Sequence, residues 1–586
     1  MRDLIAKMVE FKTNNKSVPK QPKEGIDVLH NMIRRVEREN IRDREVKRVT
    51  EEKLERIERR MNAAQAEENT EDVRKEDLQE ELRILKEKHQ DMEKEYNTLK
   101  KEKKETDKKL CTKWKNNGST VIAFYAIESV SKMSNLKIVI IGAGAAGVAA
   151  AATLLENGFT DVVVLEAKGY IGGRIKSVKF GDAFVDLGAE FCHGEKDNIV
   201  YEMVKDLNVL EPDPSNPQFF YPNQIIDPEL KDSLVETYEK IYYGEERQTE
   251  ESLGEYFTKR FLETVTCGEQ MKTDVLEVFR KQIMRHEGSF SWFDVAGTAD
   301  YVFCEGLQSW NWKGQGYKTV FDILLKKVQD PKTLFHFNKD VVGINWGEAA
   351  IVFCADGTQY QADHVLVTMS VGVLKATHFS LFNPSLPASK IESINRLPMQ
   401  AVAKIFFHFT SKWWSNGGYQ FVWRKVIPRH RPAQEPLING KSWVRNILGL
   451  FPVPQNPNVL KMWFVGGMVP ELETCSEEAI INGLMYVLEL FFSDRYPNIT
   501  RPDKVIRHNW YSDKHFRGTY SFQSLQTRKG NHSDAVELST PLLSNTSAKP
   551  IVLFAGEATH PKYYSTVHGA IETGFREANR LITLYK

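Results

Sequence analysis

The sequence is poor in the features that mark secreted, metal-binding and strongly charged proteins. It has six cysteines in 586 residues, and no two of them form a C-x-x-C pair. We therefore expect a reducing compartment, no disulfide framework and no metal site. Lys plus Arg number 79 and Asp plus Glu also number 79, so the formal net charge is zero. Without an excess of one sign, neither nucleic acid nor a membrane surface is an expected partner.

Targeting signals and membrane-spanning segments are also missing. Met1 to Lys7 is charged and lacks the apolar stretch of a signal peptide, and the last residues do not spell S-K-L. One long apolar run, Ile138 to Leu155, contains three glycines whose spacing divides it into a strand and a helix. We therefore expect a cytoplasmic protein without a membrane anchor.

Glycine and proline are absent from Ile26 to Asn117. Within this stretch, 41 of the 70 residues from Ile41 to Leu110 are charged, which excludes a compact apolar core. Apolar residues recur at alternating spacings of four and three, which favours a coiled coil over 26–117 and possible self-association through it. They are Leu78, Leu82, Leu85, Met92, Tyr96, Leu99 and Leu110. The alternative is a single solvated charged helix. Residues 1–25 are predicted to be disordered and 118–135 to be a linker.

The clearest motif begins with the β-branched run Lys137 to Ile141. Gly142, Gly144 and Gly147 follow in G-x-G-x-x-G spacing, and an Ala-rich helix is predicted from Val148 to Glu156. In such a turn the first glycine allows the tight bend. The second lets the backbone approach a pyrophosphate, and the third lets helix and strand pack closely. The free N–H groups at the helix N-terminus favour an anion.

The residues after this motif supply the rest of a dinucleotide site. A second apolar strand, Val162 to Leu165, ends on Glu166, where a carboxylate is expected to accept the ribose hydroxyls. Gly172, Gly173 and Arg174 then form a further glycine turn with a cation placed for the phosphates. We interpret the whole segment as a dinucleotide-binding unit, with a chance glycine cluster as the alternative.

Three later features bear on chemistry. Phe184 to Gly194 contains a turn that presents Glu190 and His193, although a lone histidine is more often structural. Strands are predicted at Phe335 to Trp346 and His364 to Met369. Lys404 heads a strongly apolar strand, where a buried amine needs a reason; a lysine at a strand edge is the alternative.

These motifs together resemble the flavin-dependent amine oxidases. The resemblance covers about Leu136 to Lys586 and includes the C-terminal runs Gly556 to His560 and Ser565 to Ala570. Phe516 to Ser521, Tyr563 to Thr566 and the histidine of Phe191 to Gly194 are similar to the polyamine oxidase subgroup of the spermine oxidase type.

The resemblance implies an α/β fold in which a Rossmann-like FAD-binding domain is combined with a discontinuous α+β substrate domain, here preceded by the helical arm. The FAD-binding domain would comprise 136–199, 311–380 and 546–586. The substrate domain would comprise 200–310 and 381–545. No cysteine follows Cys475, so the cysteinyl link of monoamine oxidases cannot form and FAD should be non-covalent.

The resemblance also assigns roles to residues. Glu166 and Arg174 would hold ribose and phosphate, Glu557 the ribityl–phosphate region, and Val341 or Val342 the adenine. Lys404 would hold a water against flavin N5, while His193, Tyr520 and Thr566 would face the substrate. Glu190 stands where relatives usually carry a small or polar residue. The remaining expected cofactor contacts are Gly142, Gly144, Ala146, Gly147, Gly173, Gly188, Ala189, Glu190, Gly556, Ser565, Thr566 and Val567.

The implied reaction moves a hydride from the α-carbon of a neutral secondary amine to the flavin. The resulting imine is hydrolysed to an aldehyde and a shorter amine, and O2 becomes H2O2. Spermine, spermidine and N1-acetylated polyamines remain alternative substrates. Other hypotheses are a histone-lysine demethylase, a monoamine oxidase, or a coiled-coil interaction protein with an inactive oxidase-like domain.

Overall fold

The computed structural model describes residues 136–585, except 245, 246, 248, 299, 329, 424–434 and 528–532. The predicted disordered segment 1–25, the coiled coil 26–117 and the linker 118–135 lie outside these residues. Within the described part, none of the helices has the length and hydropathy of a transmembrane segment.

The strands, numbered in chain order, are β1 (Lys137–Ile141), β2 (Asp161–Glu166), β3 (Ser177–Phe180), β4 (Ala183–Asp186), β5 (Glu211–Pro212), β6 (Gln218–Tyr221), β7 (Gln224–Ile225), β8 (Trp310–Asn311), β9 (Phe335–Phe337), β10 (Val341–Trp346), β11 (Ala350–Cys354), β12 (Gln359–Ala362), β13 (His364–Val367), β14 (Phe382–Asn383), β15 (Met399–Gln400), β16 (Ala403–His408), β17 (Tyr419–Phe421), β18 (Leu437–Ile438), β19 (Lys441–Ser442), β20 (Ile447–Val453), β21 (Asn456–Phe464), β22 (Lys504–Arg507), β23 (Tyr520–Ser521), β24 (Leu542–Leu543) and β25 (Pro550–Phe554).

The α-helices, numbered in the same way, are α1 (Ala145–Glu156), α2 (Ile199–Val204), α3 (Pro228–Glu239), α4 (Leu253–Thr264), α5 (Glu269–Glu287), α6 (Thr319–Leu324), α7 (Pro331–Leu334), α8 (Val371–Leu381), α9 (Ala388–Arg396), α10 (Val469–Glu473), α11 (Glu477–Phe492), α12 (Asp534–Ser539) and α13 (Val567–Tyr585).

A six-stranded sheet with the order β24-β25-β13-β1-β2-β9 carries the glycine motif. Its strands run parallel except for β24. Ile138 and Ile140 pack into one apolar core and Val139 and Ile141 into another, so β1 is buried on both faces. Helices α1 and α13 cover the first face closely, since a Cβ on Gly574 would lie 2.2 Å from the Ala146 oxygen.

Several predicted elements have different bounds in the structure: the strand predicted from His364 to Met369 ends at Val367, and that predicted from Val162 to Leu165 is one residue longer at each end. Helix α1 begins at Ala145 rather than at Val148, because Gly144 is its extended N-cap and the third glycine already lies in the first turn. The predicted strand Phe335 to Trp346 is two strands, β9 and β10, separated by Asn338 in a left-handed conformation with φ 57°. The break allows β9 to join the parallel sheet while β10 begins an antiparallel one.

The second large sheet has seven strands in the order β22-β16-β21-β20-β17-β6-β7. Strand β6 pairs in parallel with β17, so this sheet combines chain segments that lie before and after β9–β13 in sequence. Apolar cores cover both of its faces. Strand β16, which carries Lys404, lies between β22 and β21 and is buried along most of its length.

Candidate active site

A cavity of about 580 Å³ extends from the glycine turn of the six-stranded sheet to residues of the seven-stranded sheet. All the predicted site residues line it except Gly147, which the structure places outside. The contact of Gly147 with the cofactor stays a prediction. A Cβ there would lie 2.0 Å from the Gly142 oxygen, so this glycine serves the close packing of helix on strand.

The other two motif glycines border the cavity for different reasons. Gly142 has φ +107°, a conformation that other residues rarely adopt, and a Cβ there would lie 2.5 Å from Thr368 Oγ1. Gly144 has ordinary torsion angles, and the nearest atom to a Cβ there is Gly173 Cα at 3.9 Å. Gly144 therefore keeps space open in front of the α1 N-terminus, as close approach of a phosphate requires.

Glu166 is fixed at the end of β2 by two backbone donors. Its Oε2 accepts a hydrogen bond from Ala143 N and its Oε1 accepts one from Lys168 N, each at 2.8 Å. Burial raises the pKa of Glu166, although these two bonds oppose the shift. Each carboxylate oxygen retains a lone pair, so both can accept from ribose hydroxyls.

Arg174 is held by residues from distant parts of the chain. Its Nη1 donates to Glu557 Oε1 at 2.9 Å and to the Thr519 oxygen at 2.8 Å. Glu557 Oε2 in turn accepts from Ser521 Oγ at 2.6 Å and from Ser565 N at 2.8 Å. The remaining guanidinium donors stay available to a phosphate.

Other residues expected to contact the cofactor lie in the turns around this network and at the start of β10. Gly188 packs against the backbone, since a Cβ there would lie 1.8 Å from the Arg174 oxygen, and Ala189 N donates to the same oxygen at 3.1 Å. Gly556 has φ +126° and precedes the short 3₁₀ turn that carries Glu557. Val342, at the start of β10, is 49% exposed at the cavity wall.

Thr566 and Val567 lie at the N-terminus of α13. The Thr566 hydroxyl donates to the Tyr563 oxygen at 2.7 Å and accepts from Gly569 N at 3.0 Å. It therefore caps the helix, and its contribution to the cavity is mainly the rest of its side chain. Val567 and Ala570 of the first turn of this helix also line the cavity.

His193 is held in one tautomer. Its Nδ1 lies 2.6 Å from the Gln308 oxygen; because a carbonyl only accepts, Nδ1 carries the proton and Nε2 is the acceptor. Burial lowers the pKa of His193, and the charge of Arg285 adds to this effect. The Tyr520 hydroxyl donates to the Arg285 oxygen, and burial raises its pKa, so the phenol stays neutral.

Lys404 is paired with an acid. Its Nζ donates to Glu190 Oε2 at 3.0 Å, and Lys461 Nζ donates to Glu190 Oε1. Burial alone would raise the pKa of Glu190, but the two lysines hold it at about 2. Lys404 therefore belongs to a buried ionic cluster rather than to a strand edge.

Comparison with known proteins follows from this geometry. The family model described as "Flavin containing amine oxidoreductase" matches residues 145–582. The chain belongs to this family. It is thus a flavin-dependent amine oxidase.

Relatives and a solved structure agree with this family. The human protein named "Peroxisomal N(1)-acetyl-spermine/spermidine oxidase" is 29% identical over 503 residues, covering 77% of this chain and 95% of the human one. "Probable polyamine oxidase 5" of Arabidopsis thaliana is 27% identical over 539 residues, covering 77% and 98%. The fold resembles that of cyclohexylamine oxidase from Brevibacterium oxydans IH-35A, with TM-score 0.57, 17% identity and coverage of 77% and 99%.

The family cavity also contains residues that sequence reasoning missed. Glu287 at the end of α5 accepts from Tyr242 Oη at 2.7 Å, and burial raises its pKa. Arg285 lies over the Trp463 ring at 5.3 Å. Further aromatic residues of the lining include Tyr243, Tyr301, Phe303 and Tyr564. Nothing in the local sequence distinguishes the aromatic residues from core aromatics, or Arg285 and Glu287 from ordinary helix residues. Lys461, an amine inside an apolar strand behind the cavity wall, repeats the signal that identified Lys404.

Proposed function

We propose that this enzyme is an FAD-dependent polyamine oxidase with a non-covalent cofactor. It would cleave spermine or an N1-acetylated polyamine at a secondary amine, yielding an aldehyde, a shorter amine and H2O2. The observation that carries the proposal is one continuous cavity, which joins a dinucleotide cradle to an aromatic chamber that contains the Glu287 carboxylate.

The cradle supports FAD as the cofactor. The glycine turn and the N-termini of α1 and α13 would hold the phosphates, with Arg174 as their cation. Glu166 would hold the ribose. None of the cysteines in the described residues lines the cavity, which supports binding without a thioether link.

Bound FAD would supply the redox chemistry by accepting a hydride from the amine substrate and passing the electrons to O2. The chain's own task is to orient the amine and keep it neutral. Lys404 and Arg285 lie over the same Trp463 ring at 5.1 and 5.3 Å, so the wall is cationic and disfavours a protonated amine nearby. His193 Nε2, the acceptor of a neutral ring, can receive a hydrogen bond from the amine.

The rest of the chamber supports a substrate that is both extended and cationic. Glu287 offers a carboxylate to a distal ammonium group of the substrate. The positive charge of that ammonium would keep the Glu287 carboxyl ionised. Tyr242, Tyr243 and Tyr301 surround this part of the cavity with aromatic faces, which also attract cations. Such a chamber favours an amine with a second nitrogen over a simple monoamine.

The test is product analysis with the purified full-length protein. Acid denaturation should release FAD into the supernatant and leave no flavin on the chain. Spermine or N1-acetylspermine should yield equal amounts of H2O2 and a shorter amine, which mass spectrometry identifies. Flavin that remains on the denatured chain would contradict the non-covalent assignment. Turnover of a simple monoamine, with neither polyamine oxidised, would contradict the substrate class.

A further inference from the structure

Two buried lysines occupy neighbouring strands of the seven-stranded sheet on one face. In the β16–β21 register Lys404 lies opposite Trp463 and Phe406 lies opposite Lys461. Lys404 and Lys461 are therefore diagonal neighbours on the same side. Their side chains are only 4% and 5% exposed, so neither ammonium is solvated as it would be at the surface.

Glu190 lies between these lysines and bonds to both. One oxygen accepts from Lys404 and the other from Lys461, and its side chain is 11% exposed. In the part of the chain that the structure describes, no other carboxylate lies within salt-bridge distance of either lysine. Asp186 is close enough to interact with the charges of Lys404 and Glu190. Its carboxylate accepts its hydrogen bonds from Ser177 Oγ and Tyr317 N, not from either lysine.

The cluster forms part of the cavity wall. Lys404, Glu190 and Trp463 line the cavity, whereas Lys461 does not and stands behind them. The Trp463 ring lies 5.1 Å from Lys404 Nζ and 5.9 Å from Lys461 Nζ. Loss of the Glu190 charge would leave two buried ammonium groups without a counter-ion, whereas loss of Lys461 would leave one matched pair.

We propose that Glu190 is a positioning residue which, anchored by Lys461, fixes the Lys404 ammonium and sets the net charge of the wall facing the flavin. This inference rests on the proposed function only in taking FAD as the bound cofactor. With Glu190 ionised, the three side chains carry one net positive charge, which favours the reduced, more negative state of a neighbouring redox group.

The test measures the midpoint potential of the bound flavin in the holoenzyme. Glu190→Gln should raise the potential, since it removes a negative charge, and Lys461→Met should lower it. Each shift should be about tenfold in the reduction equilibrium, or about 30 mV for a two-electron couple. The double variant should return toward wild type. Lys390→Met is the control, because Lys390 is a buried lysine bonded to backbone oxygens and lies outside the cavity lining.

Opposite shifts in the two single variants support the inference. It is overturned if both shift in the same direction, or if neither exceeds the control. Should Glu190→Gln fail to fold, Lys461→Met still tests the charge, because the Glu190–Lys404 pair remains. Dithionite reduces the flavin without any amine, so the midpoint potentials can be measured whether or not the enzyme oxidises polyamines. A flavoprotein that oxidises no polyamine would therefore contradict the proposed function and leave the role of Glu190 open to the same test. If the enzyme oxidises polyamines but the flavin midpoint potential is unchanged in the variants, only the role of Glu190 is contradicted.

Discussion

Two glycines of the same motif should fail in different ways when each is replaced by alanine. Gly147→Ala places a Cβ 2.0 Å from the Gly142 oxygen, a contact that only a backbone shift can relieve. Such overpacking costs about 1–3 kcal/mol or more, so the protein without added flavin should be destabilised. Gly144→Ala meets nothing nearer than 3.9 Å and needs no unusual torsion angle, so stability should be unchanged or slightly higher.

Flavin affinity should show the complementary pattern. The Gly144 methyl group would enter the space in front of the α1 N-terminus and cost at least one hydrogen bond to phosphate. A hydrogen bond to a charged group contributes about 1.5–3 kcal/mol, which corresponds to a loss of affinity of roughly 10- to 150-fold. Thermal unfolding with and without FAD, together with titration of FAD fluorescence, separates the two effects. Equal destabilisation of both variants, with FAD affinity retained in Gly144→Ala, would refute the reasoning.

Three further changes have defined outcomes. Glu166→Gln should weaken FAD binding measured by equilibrium dialysis, because the amide nitrogen donates and leaves one of the two backbone donors and one ribose hydroxyl without an acceptor. Unchanged affinity would contradict the ribose assignment. Glu287→Gln should raise KM for spermine about tenfold or more with little change in kcat. Glu277→Gln should leave KM unchanged, because the exposed ion pair of Glu277 on the same helix contributes little. Equal effects of the two substitutions would contradict the substrate role of Glu287. The free energy of unfolding should decrease as the pH is lowered from about 6.5 to 4. Burial lowers the pKa of His568 to about 3 and that of His508 to about 4, so in this range the unfolded chain binds more protons than the folded one. His568→Gln should flatten this slope in urea titrations, and an unchanged slope would contradict the assignment.

The nucleotide part was accessible from sequence because its signals are local. Strand, glycine turn, helix and acid follow one another within the 30 residues from Lys137 to Glu166, and each carries its own backbone or hydrogen-bonding requirement. The errors are also local: the left-handed Asn338 that splits the predicted strand into β9 and β10 leaves no periodicity to detect. The bounds of α1 shift because Gly144 caps the helix ahead of the predicted start.

The substrate part was less accessible because its contacts join distant segments. Glu190 and Lys461 are 271 residues apart, and the pairing of Arg174 with Glu557 spans 383. Sequence reasoning identified Lys404 as an amine needing a partner, yet only the register of β16 and β21 brings Lys461 beside it. Glu287 is the last residue of an ordinary amphipathic helix, so its position in the cavity depends wholly on tertiary packing.

The central claim is that this cavity binds FAD and a polyamine side by side. The most direct test is an anaerobic absorbance titration of the purified protein with spermine, N1-acetylspermine and a simple monoamine. The account predicts that a polyamine bleaches the yellow flavin and that air restores the colour with release of peroxide. A yellow protein that neither polyamine bleaches, or a protein that binds no flavin, would contradict it.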